Sequence, residues 1–187
     1  MSQALRAHIE QITPLSDAEF DYIFSHFKYR KLKKHQYLVQ EGDGAPMDHY
    51  VISGLVKAYH TDPEGKEHIL QFAMEDWWVS DYQAHVKGTP ATLHISCLEP
   101  TEVLCISLAA KEKLCSELHQ LEHFFRRKSN LGYIALQQRI LSLLNNNAKD
   151  RYLQLMQQYP TLLQRVPKAQ IAAYLGVSRE TLSRLAV

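Results

Sequence analysis

The sequence predicts an α+β protein with three parts: an N-terminal β-roll of the double-stranded β-helix or jelly-roll kind, a long helix, and a C-terminal helix-turn-helix. Three observations predict it. Up to residue 107, short alternating runs are separated by turn signals such as EGDGAP at 41–46, DPEG at 62–65 and EPTE at 99–102. Residues 110–145 then contain no proline and one glycine, Gly132, within a pattern of helical period. Residues 168–185, KAQIAAYLGVSRETLSRL, read as two short helices around a tight turn. The expected boundaries are a sensor over 1–110, the long helix over 111–145 and a DNA reader over 146–187.

Composition narrows the function classes. With 187 residues, 45% hydrophobic and 22% charged, the chain can bury a core and is not of a disordered type. A net charge of +1 argues against polyanion binding along the whole chain, yet Arg165, Lys168, Arg179 and Arg184 face only Glu180 after residue 164. No run of 18 apolar residues and no secretory start is present, so a membrane partner is not expected and the cytoplasm is. Cys97, Cys105 and Cys115 form no C-x-x-C pair and read as reduced thiols.

Taken in order, residues 3–12 and 16–27 read as short amphipathic helices covering a sheet, with Ser16 capping the second. From Lys28 the period becomes two and continues to Gln40; the basic run KYRKLKK is read as a solvated strand face. Residues 49–60 form a strand pair or one strand kinked at Gly54, and KEHILQFA returns after the DPEG turn. The strands of 91–107 follow. On the long helix, Leu114, Leu118, Leu121 and Phe125 form a seam that Tyr133, Leu136, Ile140 and Leu143 continue. A helix of 36 residues spans about 54 Å, more apolar face than one small barrel covers. It is expected to pair with a second copy through Leu118, Leu121, Phe125, Leu136, Ile140 and Leu143. NNNA at 145–148 reads as a hinge-like break, and the helix after it, carrying Tyr152, Leu155, Met156 and Tyr159, is expected to end before Pro160.

In the last segment Ile171, Ala172 and Leu175 share a face, Gly176 sits where a left-handed residue ends a helix, and Ser178 can cap the next. The second helix then offers Arg179, Glu180 and Arg184 to base edges, with Ser178, Thr181, Ser183 and Lys168 as further DNA contacts, chiefly to phosphate. The competing reading is an αα-hairpin with a solvated charged face.

From Val166 the chain resembles the helix-turn-helix of the cAMP receptor protein/fumarate-nitrate regulator family, with SRETLSR close to its recognition helix. EGD, the Gly54 strand and DPEGKEHILQF resemble the family's sensor domain, so the resemblance spans nearly the whole chain. It implies an effector-responsive transcription regulator acting as a homodimer on double-stranded DNA, with RNA polymerase a further candidate partner, and it implies no enzyme activity. In cAMP-binding members a short helix after a strand offers amides and a Glu, and an Arg followed by Ser or Thr neutralises the phosphate. Here Glu75 or Asp76 stands for the acid and Thr92 for the hydroxyl, but Ala91 takes the Arg position, so cAMP is not expected and the small-molecule effector is unknown. Trp77, Trp78 and Tyr82 either line another apolar pocket or fill this one. The cysteine-bound iron-sulfur chemistry of some relatives is not carried over, since the first 96 residues lack cysteine.

Two other chemistries find little support. His119 and His123 stand one helical turn apart beside Glu122, but no HExxH accompanies them, and no G-x-S-x-G elbow positions a nucleophile. The chain ends at Ala186-Val187 without the basic extension and wing of many relatives, which keeps open a binding module of the same fold that has lost DNA binding.

Overall fold

A computed structural model describes residues 2–185; the chain end at Ala186-Val187, with the expectation attached to it, lies outside the described residues. The chain forms two compact units, Met1–Tyr59 with Phe72–Lys128, and His60–Gln71 with Ser129–Val187. This grouping divides the long helix between Lys128 and Ser129 and assigns the tip of one hairpin to the second unit.

In the first unit α1 (Ser2–Glu10) and α2 (Asp17–Ser25) precede the strands. Ser16 forms the expected capping box, its Oγ accepting from Glu19 N while Glu19 Oε2 accepts from Ser16 N at 2.8 Å. The alternation read over 28–40 is two strands, β1 (Lys28–Leu32) and β2 (Tyr37–Val39). Between them Gln36 N bonds Lys33 O, Lys33 N bonds Gln36 Oε1, and His35 turns at φ 69°. Residues 49–60 are a strand pair, β3 (Asp48–Ser53) and β4 (Val56–Thr61), turning at Gly54 with φ 102°. After the Pro63 turn come β5 (Glu67–Ala73), β6 (Trp78–Val79), the short α3 (Tyr82–Lys87), β7 (His94–Cys97) and β8 (Thr101–Ile106).

The strands make two four-stranded antiparallel sheets, ordered β1-β8-β3-β6 and β2-β7-β4-β5. Because side chains alternate along a strand, each face of the first sheet has its own core. Val51, Val103 and Cys105 meet Val56, Ala58, Ile95 and Cys97 of the other sheet. Tyr50, Leu104 and Ile106 point outward and are covered by Leu5, Ile9, Phe20 and Ile23 of α1 and α2 and by Leu114, Leu121, Phe124 and Phe125.

The single helix expected over 110–145 is instead α4 (Leu108–Glu117) and α5 (His119–Asn145). Leu118 breaks it with extended backbone at φ −125° and ψ 103°, half-buried against the sensor core. Nothing in local propensity stops a helix there; burying Leu114, Leu121, Phe124 and Phe125 on one curved surface outweighs the lost helical bonds. The helix continues through Gly132.

In the second unit α6 (Ala148–Gln158) begins after the expected break, capped by Asn147 Oδ1 accepting from Asp150 N at 3.0 Å. Pro160 then opens α7 (Pro160–Arg165), where the sequence reading had only a helix end; its missing N–H costs nothing at a first helical position. α8 (Lys168–Leu175) and α9 (Arg179–Leu185) complete the described chain. Among the described residues no helix is long and apolar enough to cross a membrane.

Candidate nucleic-acid interface and sensor cradle

The turn between α8 and α9 follows from one residue. Gly176 adopts φ 67° and ψ 35°, which lets its N–H bond Ala173 O at 3.2 Å and the Val177 N–H reach Ala172 O at 3.0 Å, a Schellman turn. Ser178 then starts α9, its Oγ accepting from Thr181 N at 3.1 Å. Ile171, Ala172, Leu175 and Leu182 are buried in the angle.

What α9 presents follows from its pitch. At about 100° per residue, Arg179, Ser183, Glu180 and Arg184 fall within an arc of about 140°, away from Leu182. All four are exposed, as are Ser178 and Lys168. The Glu180 carboxyl is held below the ordinary carboxylate range by its own backbone N–H and the Ser178 hydroxyl, so it stays an acceptor. Thr181 is half-buried and within 3.1 Å of Ser178 Oγ, so part of the hydrogen-bonding capacity of this pair is spent on the cap. The surface therefore offers a donor fork at each end, an acceptor between them and small hydroxyls, the set that reads base edges and phosphates.

The sensor residues named from sequence are not brought together. Glu75 Oε1 accepts from Gly54 N at 2.8 Å, and Asp76 Oδ1 accepts from the Tyr50 hydroxyl at 2.6 Å. Trp78 packs on Phe124 and Phe125 and donates from Nε1 to His8 Nε2, while Trp77 packs against the inter-sheet core. Tyr82 bonds Asp48 Oδ1, whose other oxygen accepts from Lys111 at 2.8 Å. Trp77 and Trp78 are thus partly buried in packing contacts, while Tyr82 is 47% exposed.

The carboxylate that meets Thr92 is Asp81, which the sequence reading missed. Its Oδ2 accepts from Thr92 N at 2.6 Å, Thr92 Oγ1 at 2.9 Å and Leu93 N at 3.1 Å, and its Oδ1 caps α3 through Ala84 N. Burial pushes this carboxyl up, and the bonds from Thr92, Ala84 and Leu93 outweigh burial and hold it below its ordinary value. The signal was available: Asp81 stands two residues after the end of β6 and seven residues before Gly88, the left-handed end of α3. Ala91 is buried, its backbone paired with Gly42 and Asp43. The candidate metal pair fares no better, because His123 Nδ1 and Glu122 both meet Arg126, and among the described residues no three metal-ligating side chains gather.

A two-sheet roll, a long helix and a basic helix-turn-helix define the class of transcription regulators built on a cyclic nucleotide-binding fold. The family model of the cyclic nucleotide-binding domain matches residues 29–117, and the chain is similar to regulators of the Crp/Fnr family. The cAMP-activated global transcriptional regulator CRP of Pasteurella multocida is 26% identical over 94% of this chain and 88% of its own. In structure the chain is similar to FixK2 of Bradyrhizobium japonicum, with TM-score 0.72 at 18% identity over 86% of this chain and 82% of that one. It is also similar to the c-di-GMP responsive regulator CLP of Xanthomonas campestris, with TM-score 0.73 at 16% identity over 91% and 89%.

Proposed function

We propose that this chain is an effector-responsive transcription regulator of the cytoplasm that binds double-stranded DNA as a homodimer. The observation that carries the reading is α9, an exposed helix with Arg179, Glu180, Ser183 and Arg184 on one arc, fixed by the Gly176 turn. The homodimer rests on α5: Tyr133, Leu136, Ile140, Leu143 and Leu144 are 43–76% exposed, and at about 100° per residue they share an arc of about 100°. A second copy is the partner that covers such a stripe symmetrically. Leu121 and Phe125, and Leu118 in part, are spent on the sensor's own core, so the dimer seam narrows to Leu136, Ile140, Leu143 and their neighbours. Two readers related by a twofold axis enter successive major grooves, which makes the operator an inverted repeat with half-sites about 34 Å apart.

The effector is not cAMP. A cyclic phosphate would meet the buried methyl of Ala91 instead of a cation, and the Thr92 hydroxyl and amide already serve Asp81. Calorimetry with cAMP at micromolar concentrations should give no heat of binding; tight binding lost on Thr92→Ala would overturn this. For the function as a whole, a gel shift against genomic fragments at low salt should retain specific fragments. A protein that is dimeric and binds no DNA would instead be a binding module of the same fold.

A further inference from the structure

The last four carbonyls of a helix have no partner within it, and those of α8 are all satisfied in an unequal way. Ala172 O and Ala173 O are taken by the turn that follows, from Val177 N and Gly176 N. Tyr174 O and Leu175 O are taken from elsewhere: Arg139 Nη2 of α5 donates to the first at 3.0 Å, and Arg151 Nε of α6 to the second at 3.1 Å. Each arginine is itself tied down. The Arg139 guanidinium lies 3.6 Å from the Tyr174 ring centroid and bonds Ile69 O of β5 at 3.0 Å. Arg151 Nη1 bonds Asn146 O at 2.6 Å, between α5 and α6. Over residues 130–141 of α5, Arg139 is the one side chain that is not exposed.

The chemistry suits the place. A helix C-terminus carries partial negative charge, and a planar guanidinium can satisfy two carbonyls while stacking on a ring. One such contact would leave α8 free to pivot about it; two, on consecutive carbonyls and anchored on different helices, fix its direction. Since Gly176 fixes α9 relative to α8, fixing the end of α8 also aims α9.

We propose that Arg139 and Arg151 are positioning residues for the DNA reader, a two-point clamp on the C-terminal carbonyls of α8 that sets the direction of α9 relative to α5 and the 146–147 break. The purpose of the clamp rests on the DNA-binding function proposed above; the clamp itself does not, so its test begins without DNA. In hydrogen exchange on the full chain, Arg139→Ala and Arg151→Ala should each speed exchange of residues 174–185 about tenfold, leaving α1 and β8 unchanged. Arg139→Lys, which keeps the charge but loses the fork and the stack, should recover part of the protection and also covers the case in which the alanine variant folds poorly. On DNA, each alanine variant should lose about tenfold in operator affinity with random-sequence affinity kept within about twofold, the pattern of a misaimed reader. Unchanged exchange in both alanine variants overturns the clamp. Equal losses on operator and random DNA overturn the positioning role. Faster exchange in the alanine variants of a parent protein that binds no DNA upholds the clamp and removes the function on which its purpose rests.

Discussion

A Cβ on Gly54 would lie 2.5 Å from Thr101 Oγ1 and 2.6 Å from Pro100 O, whereas one on Gly176 meets nothing within 4 Å. Both residues have positive φ, so the two sites separate backbone strain from steric clash. Gly176→Ala should cost about 1–2 kcal/mol in urea unfolding, the strain alone, while Gly54→Ala should cost at least about 3 kcal/mol because backbone must also move. Two buried histidines supply a pH dependence. Burial lowers His8 and His49 to about 4 from 6.5, so both are neutral in the folded protein where the unfolded chain would protonate them. The unfolded state therefore binds more protons between those values: stability is complete above pH 6.5 and falls towards pH 4, by up to about 1.4 kcal/mol per pH unit for each histidine. Melting temperatures measured from pH 7.5 to pH 5 should fall, and His49→Gln should flatten the profile. A flat profile in the parent would show these rings are not held neutral. Asp81 marks the limit of sequence reading at this scale. A cap is a local signal, but its bonds to Thr92 and Leu93 join residues that only the roll brings together.

The proposed reading role of α9 permits a sharper test than loss of binding. Arg179 lies on the exposed arc of α9 and Lys168 at the start of α8. Arg179→Ala should cost about 1–3 kcal/mol on the operator and relax preference at one base pair, while Lys168→Ala should weaken every sequence alike and reduce the salt slope by about one unit. Titrations against operator and random duplexes at several salt concentrations separate the two; equal losses for Arg179→Ala would make it a backbone contact. Elements whose signals lie within a few residues were the legible ones. The Ser16 capping box, the Pro63 turn and the Gly176 and Ser178 pair all formed as expected. The break at Leu118 was not legible, because α4 and α5 share one helical pattern and only the shape of the sensor surface interrupts it. The turn at 33–36 hid for a related reason: polar residues on an exposed strand continue an alternation that buries almost nothing.

At the scale of the whole molecule the apolar residues of α5 divide into those spent inside the chain and those left outside. Leu121 is fully buried, whereas Ile140 is 49% exposed with polar Gln137 and Gln138 close by in sequence. Ile140→Asp should therefore give monomers in sedimentation with the sensor's melting preserved; Leu121→Asp should cost at least about 3 kcal/mol of folding stability at any oligomeric state. A dimeric Ile140→Asp protein with native helicity would remove this stripe from the interface. The two-sheet roll was legible from its rhythm of turns, but the order of the strands was not, since pairing between β1 and β8 joins residues 69 to 77 apart, from Leu32 with Thr101 to Lys28 with Cys105. That order puts the basic run to a use its charge alone did not suggest. One edge of each sheet is β1 or β2, and Lys28, Arg30, Lys31, Lys33 and Lys34 crowd the strands and the turn that join them. Unpaired strand edges invite a neighbouring molecule to add a strand, and like charges brought edge to edge repel over a screening length of about 8 Å at physiological salt. The basic side chains of this segment therefore disfavour edge-to-edge stacking of one roll on another, a consequence of where the fold places them rather than of their number alone.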